Sequence, residues 1–160
     1  MAYNEKTLSY YEETRNSIGY LTRIAFRSFS HALEKLTLPH GVTAGQWRFL
    51  RVLWIEDGLT QRELSRRVVM REPTTVTALQ GMEKAGLIRR EQCSEDRRRT
   101  LVYLTPKAKG LKATLIPCVI DVNLRATQGM TDAEIEQLKT LLAKVCDRLA
   151  ESDGGGTGEA

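Results

Sequence analysis

Two groups of side chains in the middle of the sequence are suited to binding a phosphate-rich polymer. The first is the run Asp96-Arg97-Arg98-Arg99, in which three guanidinium groups follow one carboxylate. The second is a cluster of short side chains with hydroxyl or methyl groups, namely Thr74, Thr75, Thr77 and Ala78. Guanidinium groups form paired hydrogen bonds with phosphates, and short side chains can approach base edges in the major groove. These residue types therefore predict binding of double-stranded DNA.

The short side chains lie on the second of two predicted helices. Thr60-Gln61-Arg62-Glu63 is a Thr-x-x-Glu capping box, which satisfies free backbone N–H groups and predicts a helix beginning at Thr60. Pro73 suits the first position of a helix, so we expect the second helix to start there with Glu72 as its N-cap. Apolar residues then recur at helical spacing and predict its buried face. They are Val76, Leu79 and Met82.

The arginine run lies in a predicted β-hairpin. Gly86 accepts the left-handed conformation in which many helices end, and residues 87–90 and 100–104 are predicted strands. Two helices followed by such a hairpin form a winged helix-turn-helix, with the second helix in the major groove and the wing tip in the neighbouring minor groove. The predicted DNA-binding residues are Gln61, Arg71, Thr74, Thr75, Thr77, Ala78, Arg97, Arg98 and Arg99.

Each part of this site has a simpler interpretation. The threonines could only cap and solvate their helix, and the arginines could form surface salt bridges, which contribute about 0 to 1 kcal/mol each. The charge distribution favours DNA instead. Residues 60–110 contain 12 Lys/Arg and 6 Asp/Glu, whereas the rest of the chain contains 12 and 14. The net charge of +4 therefore reflects an excess on the winged-helix segment.

The order of these motifs resembles that of the MarR family of winged-helix transcription regulators. The resemblance is carried by Gln46-Trp47-Arg48, Thr60-Gln61-x-Glu63-Leu64, residues 74–77, Met82-Glu83-x-x-Gly86-Leu87-Ile88-Arg89-Arg90, Asp96-Arg97-Arg98, Leu104-Thr105 and Gly110. It implies a mainly α fold, with a winged helix-turn-helix, a small β-hairpin wing and a helical dimerisation region. It also implies that a wing arginine enters the minor groove while Asp96 holds it or its neighbour by charge-assisted hydrogen bonds.

Long amphipathic helices are predicted on both sides of the winged helix. Residues 7–36 form one helical pattern, and further helix starts are predicted at Thr43-Ala44-Gly45-Gln46, Thr105-Pro106 and Thr131-Asp132-Ala133-Glu134. Pro117 predicts a kink in the helix that contains it. Broad apolar stripes and pseudo-palindromic operators both favour a homodimer. The expected regions are an N-terminal dimerisation helix (1–42), the winged helix-turn-helix DNA-binding domain (43–105), C-terminal dimerisation helices (106–152) and a disordered tail (153–160).

The resemblance also implies a small anionic or phenolic effector, bound between the dimerisation helices and the winged helix. An arginine fork suits a carboxylate or phosphate, and aromatic faces stack on a planar ring, although aromatic residues at helical spacing are also typical of a core. Arg23, Arg27 and His31 recur every four residues and favour an aromatic acid or its CoA thioester. The candidate effector-binding residues are Tyr20, Arg23, Phe26, Arg27, His31, Trp47, Arg51 and Trp54.

Other classes of protein are disfavoured. The three cysteines are widely spaced, which argues against a disulfide framework or a zinc site and favours a reducing cytoplasm; Cys118 and Cys146 lie on apolar stripes and are predicted to be core. No secretory signal or apolar run of about 18 residues is evident, so no membrane partner is expected. No nucleophile with base and orienting group, glycine-rich phosphate loop or metal spacing is present, so we predict no enzyme, no metal and no cofactor.

Two hypotheses about function remain. The first is a homodimeric, cytoplasmic transcriptional repressor that binds a pseudo-palindromic DNA operator and is released from it by an effector. The second is a winged-helix adaptor that binds another protein and has no small-molecule effector. The threonine-rich helix and the arginine-rich wing favour the first hypothesis, because protein interfaces use large apolar anchors.

Overall fold

The computed structural model describes residues 3–96 and 98–153 of the chain, with side chains up to residue 150. This part is mainly helical and contains one small antiparallel sheet, as predicted. The helices are α1 (Glu5–Glu12), α2 (Ile18–Thr37), α3 (Ala44–Leu53), α4 (Gln61–Arg67), α5 (Glu72–Lys84), α6 (Pro106–Ala126) and α7 (Asp132–Asp153). The strands are β1 (Leu59–Thr60), β2 (Ile88–Gln92) and β3 (Thr100–Leu104). The chain divides into two compact units between Val122 and Asn123, within α6.

The predicted capping boxes at the starts of α3 and α4 both form. Thr43 Oγ1 accepts a hydrogen bond from the Gln46 backbone N–H at 3.2 Å, and the Gln46 side chain accepts one from the Thr43 N–H at 3.0 Å. Thr60 and Glu63 make the equivalent bonds at 3.2 and 2.9 Å. These bonds satisfy N–H groups that have no partner within a helix, so local sequence fixes where each helix begins.

Strand β3 connects the wing to the helix-turn-helix. It lies in the middle of the sheet, with β1 and β2 antiparallel on either side, and β2 pairs with it from Ile88 opposite Leu104 to Gln92 opposite Thr100. Apolar side chains of the sheet pack with those of α3, α4, α5 and α6 in one core. Its largest fully buried apolar side chains are Val42, Phe49, Leu50, Leu53, Leu64, Leu79, Met82, Leu87, Ile88, Val102 and Leu115. Burying such a side chain contributes about 1.5 to 3 kcal/mol, so this core holds α4, α5 and the wing in fixed positions.

The N-terminal region differs from the single helix predicted over residues 7–36. Helices α1 and α2 are separate, with a 3₁₀ turn at Thr14–Asn16 between them. Ser17 Oγ accepts a hydrogen bond from the Tyr20 N–H at 3.3 Å and so caps the start of α2. The local cap therefore overrides the longer amphipathic pattern.

The C-terminal helices agree with the prediction in position but not in every detail of burial. Helix α6 runs uninterrupted through Pro117, and the predicted capping box at Thr131 and Glu134 opens α7. Cys118 is half-buried and packs against the core, as predicted, whereas Cys146 is exposed, so the prediction that Cys146 is core was wrong. Residues 154–160 of the predicted tail lie outside the described residues. None of the described helices is both long and apolar enough to cross a membrane.

Candidate nucleic-acid interface

The turn between α4 and α5 is closed by a reciprocal pair of hydrogen bonds. Ser65 Oγ donates to the Met70 carbonyl at 2.5 Å, and the Met70 N–H donates to the Ser65 carbonyl at 3.0 Å. Between them, Val69 has a φ of 54°, a left-handed conformation that is uncommon for a β-branched residue. The closed turn brings Arg71 to the N-cap position of α5, where its side chain makes no capping bond.

Helix α5 buries a different face from the one that the sequence predicted. It starts at Glu72, one residue earlier than expected, and Arg71 rather than Glu72 is its N-cap. Thr75 is fully buried whereas Val76 is 36% exposed, so Thr75 does not face outward as predicted. Positions 75, 79 and 82 fit a helical repeat as well as positions 76, 79 and 82 do. Because threonine and valine have nearly the same shape, only packing decides which of the two is buried.

The outer surface of α5 carries small side chains near its N-terminus. Thr74 and Thr77 are exposed and Ala78 is partly exposed, as predicted for all three. Together with Pro73 they line one shallow depression. The Thr77 hydroxyl already donates to the Pro73 carbonyl at 3.2 Å, so its methyl group and its remaining acceptor capacity are what it offers to a base.

The tip of the wing is ordered by Asp96. Its Oδ1 accepts a hydrogen bond from the Arg98 backbone N–H at 3.0 Å, and its carbonyl accepts one from the Arg99 N–H at 2.9 Å. The Arg99 carbonyl in turn accepts from the Cys93 N–H at 2.9 Å and closes the hairpin. Asp96 thus acts on the main chain of the wing, and Arg98 and Arg99 are exposed. Arg97, also a predicted DNA contact, lies outside the described residues.

A cleft of about 550 Å³ lies between α4, the start of α5 and the wing. It brings the predicted residues Gln61, Asp96, Arg98 and Arg99 together. Arg66 and Val76 join them, although the sequence predicted neither as a DNA contact. Arg66 lies on the exposed side of α4 and belongs to no recognisable sequence motif. Only its position in the cleft identifies it as a candidate DNA contact. The complete lining is Thr60, Gln61, Arg62, Glu63, Arg66, Glu72, Val76, Asp96, Arg98, Arg99 and Thr100.

The acidic side chains of this cleft are engaged by internal groups. Glu63 belongs to the capping box, Glu72 pairs with Arg62 at 3.7 Å, and Asp96 holds the wing turn. Hydrogen bonds from the Thr60 side chain and backbone hold the pKa of Glu63 below its ordinary value, and the charges of Arg99 and Arg67 act in the same direction. Glu63 is therefore ionised at neutral pH and committed to its cap.

The basic side chains of the winged-helix segment fall into two sets. Arg62, Arg67, Arg89, Arg90 and Lys109 each pair with a carboxylate. Within the described part of residues 60–110, the remaining basic residues have no acidic partner; they are Arg66, Arg71, Lys84, Arg98, Arg99 and Lys107. Three of these six residues, Arg66, Arg98 and Arg99, line the cleft. The cleft beside α5 therefore holds three positive charges that no carboxylate of the described residues pairs with.

The two tryptophans among the effector candidates belong to the core or its edge. Trp47 is buried, and the rings of Trp47 and Trp54 meet edge to face with centroids 5.5 Å apart. Trp54 Nε1 donates to the Ala108 carbonyl at 2.9 Å and so joins α3 to α6. Both side chains have a packing role that accounts for their presence.

The other effector candidates lie on the surface. Arg23, Phe26, Arg27 and His31 are exposed along α2, Tyr20 is half-buried and Arg51 is exposed on α3. The Arg23 guanidinium lies 5.3 Å from the centre of the Tyr20 ring, and Arg48 lies 5.4 Å from that of Phe26. In the described part of the chain no three His, Cys, Asp or Glu side chains are grouped so as to hold a metal ion.

Comparison with known proteins finds similarity to one family. The sequence profile of the MarR family matches residues 40–99. The HTH-type transcriptional regulator TtmR of Methylorubrum extorquens (strain PA1) is 30% identical over 118 residues, which span 74% of this chain and 58% of that relative. A MarR transcriptional regulator from Methanosarcina mazei Go1 has a similar structure, with a TM-score of 0.78 and 25% identity over 84% of this chain and 96% of its own.

A second solved structure has the same fold with DNA bound. The S. aureus MepR–DNA complex has a TM-score of 0.76 and 23% identity, over 82% of this chain and 98% of that of MepR. The family profile spans α3 to the tip of the wing, and the structural similarity extends into the flanking helices. Residues 40–99 therefore match the MarR family in sequence, and the fold of the chain is similar to that of winged helix-turn-helix MarR regulators.

Proposed function

We propose that this protein is a homodimeric, sequence-specific DNA-binding repressor, released from its operator by a small anionic aromatic ligand. The DNA-binding part rests on one observation: Arg66, Arg98 and Arg99 have no acidic partner among the described residues and line one cleft beside α5. DNA phosphates would supply the partners that these cations lack, with release of counterions. The use of the same fold by MepR in its DNA complex supports this mode of binding.

The proposed DNA contacts divide into two kinds. Arg71, Thr74, Thr77 and Ala78 would meet base edges in the major groove, because they are exposed at or just before the start of α5. Arg98 at the wing would enter the minor groove, and Arg97 and Arg99 would contact phosphates there or beside it. Gln61, at the start of α4, would contact the backbone, which the first helix of such a motif crosses. Thr75 is no longer a candidate, because it is buried.

The homodimer is supported by apolar side chains that the single chain leaves exposed in each unit. On α2, Ile18, Leu21, Ile24, Phe26 and Phe29 are 39–62% exposed. On α7, Leu138, Leu141, Leu142 and Leu149 are 41–64% exposed. A second copy of the chain would cover such surfaces through a two-fold interface and would match a pseudo-palindromic operator.

The ligand would be an aromatic acid or its CoA thioester. Arg23, Arg27 and His31 lie on successive turns of α2, and within the described residues none of them has an acidic partner. Tyr20 and Phe26 bring aromatic faces to the same helix. Arginine guanidinium groups can bind the carboxylate of an aromatic acid while neighbouring aromatic rings stack on its ring. Several cations together would also suit the phosphates of CoA.

The DNA-binding proposal is tested by selection from a random duplex library. Purified protein should enrich a pseudo-palindromic sequence whose half-sites lie about 34 to 36 Å apart, one helical turn of DNA. The Arg98→Ala variant should fail to enrich it, and Arg15→Ala should enrich it normally. Arg15 is also an exposed arginine, and it lies in the 3₁₀ turn before α2. A folded wild-type protein that enriches no duplex would favour the alternative, a protein–protein adaptor.

The ligand proposal is tested separately. Aromatic acids and their CoA thioesters are screened for an increase in melting temperature, and each stabiliser is then tested for release of the selected duplex. Arg27→Ala should abolish both effects, and Arg15→Ala should retain them. If no compound both stabilises the protein and releases DNA, the ligand part of the proposal fails while the DNA-binding part stands.

A further inference from the structure

We propose that Glu83 is a positioning residue for DNA binding. By holding Arg90 on strand β2, it fixes the angle between the recognition helix α5 and the wing, so that Arg98 reaches the duplex while α5 is seated in its groove. This inference rests on the proposed DNA-binding function. It assigns a role to an acidic residue that needs no contact with DNA.

The contact between Glu83 and Arg90 uses both oxygens of the carboxylate. Glu83 Oε2 accepts hydrogen bonds from Arg90 Nε at 3.1 Å and from its terminal nitrogen at 2.6 Å. Glu83 Oε1 accepts one from the Arg90 backbone N–H at 3.3 Å. One side chain of α5 therefore binds both the main chain and the side chain of β2.

The position of β2 explains why this contact is available. β2 is an edge strand, with β3 on one side only. Edge strands leave a row of backbone groups without ladder partners, and Glu83 satisfies the one at Arg90. The Arg90 side chain is only 24% exposed and its guanidinium is occupied by Glu83. Arg90 is therefore a structural link rather than a cation that is free to bind phosphate.

Apart from apolar packing in the shared core, the described residues join α5 to β2 through this link and through the turn between them. The turn between them is closed by the Leu87 N–H, which donates to the Met82 carbonyl at 2.9 Å, and contains Gly86 with a φ of 67°. The wing tip lies at the far end of β2, about 16 Å away for five residues of strand at roughly 3.3 Å each. A rotation of about 10° at the turn would displace the tip by about 3 Å, which is enough to break a hydrogen bond.

The direction of the effect separates positioning from simple electrostatics. If a carboxylate affects DNA binding only by repelling the phosphates, removing its negative charge strengthens binding. If Glu83 positions the wing, Glu83→Gln should instead weaken binding. Glu95→Gln is the matched control, because Glu95 is an exposed carboxylate in the wing, in the loop after β2. We expect Glu95→Gln to bind as tightly as the wild type or slightly more tightly.

The test is a double-mutant cycle on the duplex recovered by selection, with binding measured by fluorescence anisotropy at one salt concentration. Glu83→Gln should weaken binding by about three- to tenfold in the wild-type background. In the Arg98→Ala background it should have an effect of less than about twofold, because a wing without Arg98 has nothing to position. Exchanging the two charges, Glu83→Arg with Arg90→Glu, should recover part of the loss.

Stoichiometric titration gives the fraction of active protein, so that a partly unfolded variant is not mistaken for one with weaker binding. If Glu83→Gln lowers only the fraction of protein that binds DNA and leaves the dissociation constant unchanged, Glu83 supports folding and does not position the wing. Equal losses in both backgrounds, or tighter binding by Glu83→Gln, would overturn the positioning role while the wild type still binds DNA. Failure of the wild type itself to bind would overturn the proposed function instead.

Discussion

The Thr105 hydroxyl donates a hydrogen bond to the Gly86 carbonyl at 2.7 Å and thereby joins the end of α5 to the start of α6. The same oxygen accepts a bond from the Ala108 N–H at 3.3 Å, so it also caps α6. Lys107 Nζ reaches the neighbouring Ala85 carbonyl at 3.0 Å. Carbonyl groups at the end of a helix have no partner within it, and here α6 supplies those partners. We expect any shift of the first turn of α6 to move the end of the recognition helix α5.

The first prediction concerns this junction. Thr105→Val keeps the shape of the side chain but removes both bonds, and it should lower the free energy of unfolding by about 1 to 2 kcal/mol. Urea unfolding measures the change. Thr140→Val is the matched control, because the Thr140 hydroxyl only donates to the Glu136 carbonyl on the exposed surface of α7. A loss of similar size in both variants would contradict a special role for Thr105.

A second prediction separates the threonines of α5. The Thr75 hydroxyl is buried and has no hydrogen-bond partner in the described part of the chain, so Thr75→Val should raise the free energy of unfolding by about 1 kcal/mol and leave DNA affinity unchanged. Thr74→Val, on the exposed surface, should leave stability within about 0.5 kcal/mol and weaken binding. Unfolding and anisotropy measurements on both variants check this, and weaker DNA binding by Thr75→Val would contradict the burial.

These residues also show what sequence can and cannot predict. The starts of α3, α4 and α7 follow from capping motifs within four residues, because the groups that bond are adjacent in the chain. The choice between Thr75 and Val76 depends on which one fits the core, and that is decided by residues distant in sequence. The pairing of Glu83 with Arg90 has the same limit, because seven residues and a turn separate them. The family resemblance identified the wing correctly but could not reveal which arginines are free.

The third prediction is a pH dependence of stability. The hydrogen bond from the Arg90 side chain holds the pKa of Glu83 below its ordinary value of 4.5, although burial opposes the shift. A carboxyl with a lowered pKa stabilises the fold above the pKa of its unfolded state, and this stability is lost as the pH falls through the folded pKa. The stability difference between wild type and Glu83→Gln should be constant near pH 7 and shrink below about pH 4.5. Urea unfolding across this range measures it, and a difference independent of pH would count against the ion pair.

A fourth prediction concerns the dimer. Sedimentation at micromolar concentration should give a species of twice the chain mass of 18.1 kDa. Leu141→Lys should shift it toward the monomer, because a charge would be buried without a partner at the proposed interface. Ile55→Lys is the control, since Ile55 is 82% exposed but lies just after α3, outside the amphipathic stripes. If the wild type sediments as a monomer, the proposed homodimer is wrong.

The central claim is that the free arginines of the cleft and wing bind DNA phosphates or the minor groove, and the salt dependence of binding tests it most directly. The logarithm of the association constant should fall linearly with the logarithm of the salt concentration, with a slope of about −0.9 for each phosphate contact. Arg98→Ala should bind more weakly, with its melting temperature and dimerisation unchanged. Arg66→Ala should also make the slope shallower, by about 0.9 for each phosphate that is no longer neutralised, whereas Arg15→Ala should leave it unchanged. A slope near zero for the wild type, or the same slope and affinity in all three variants, would contradict the account.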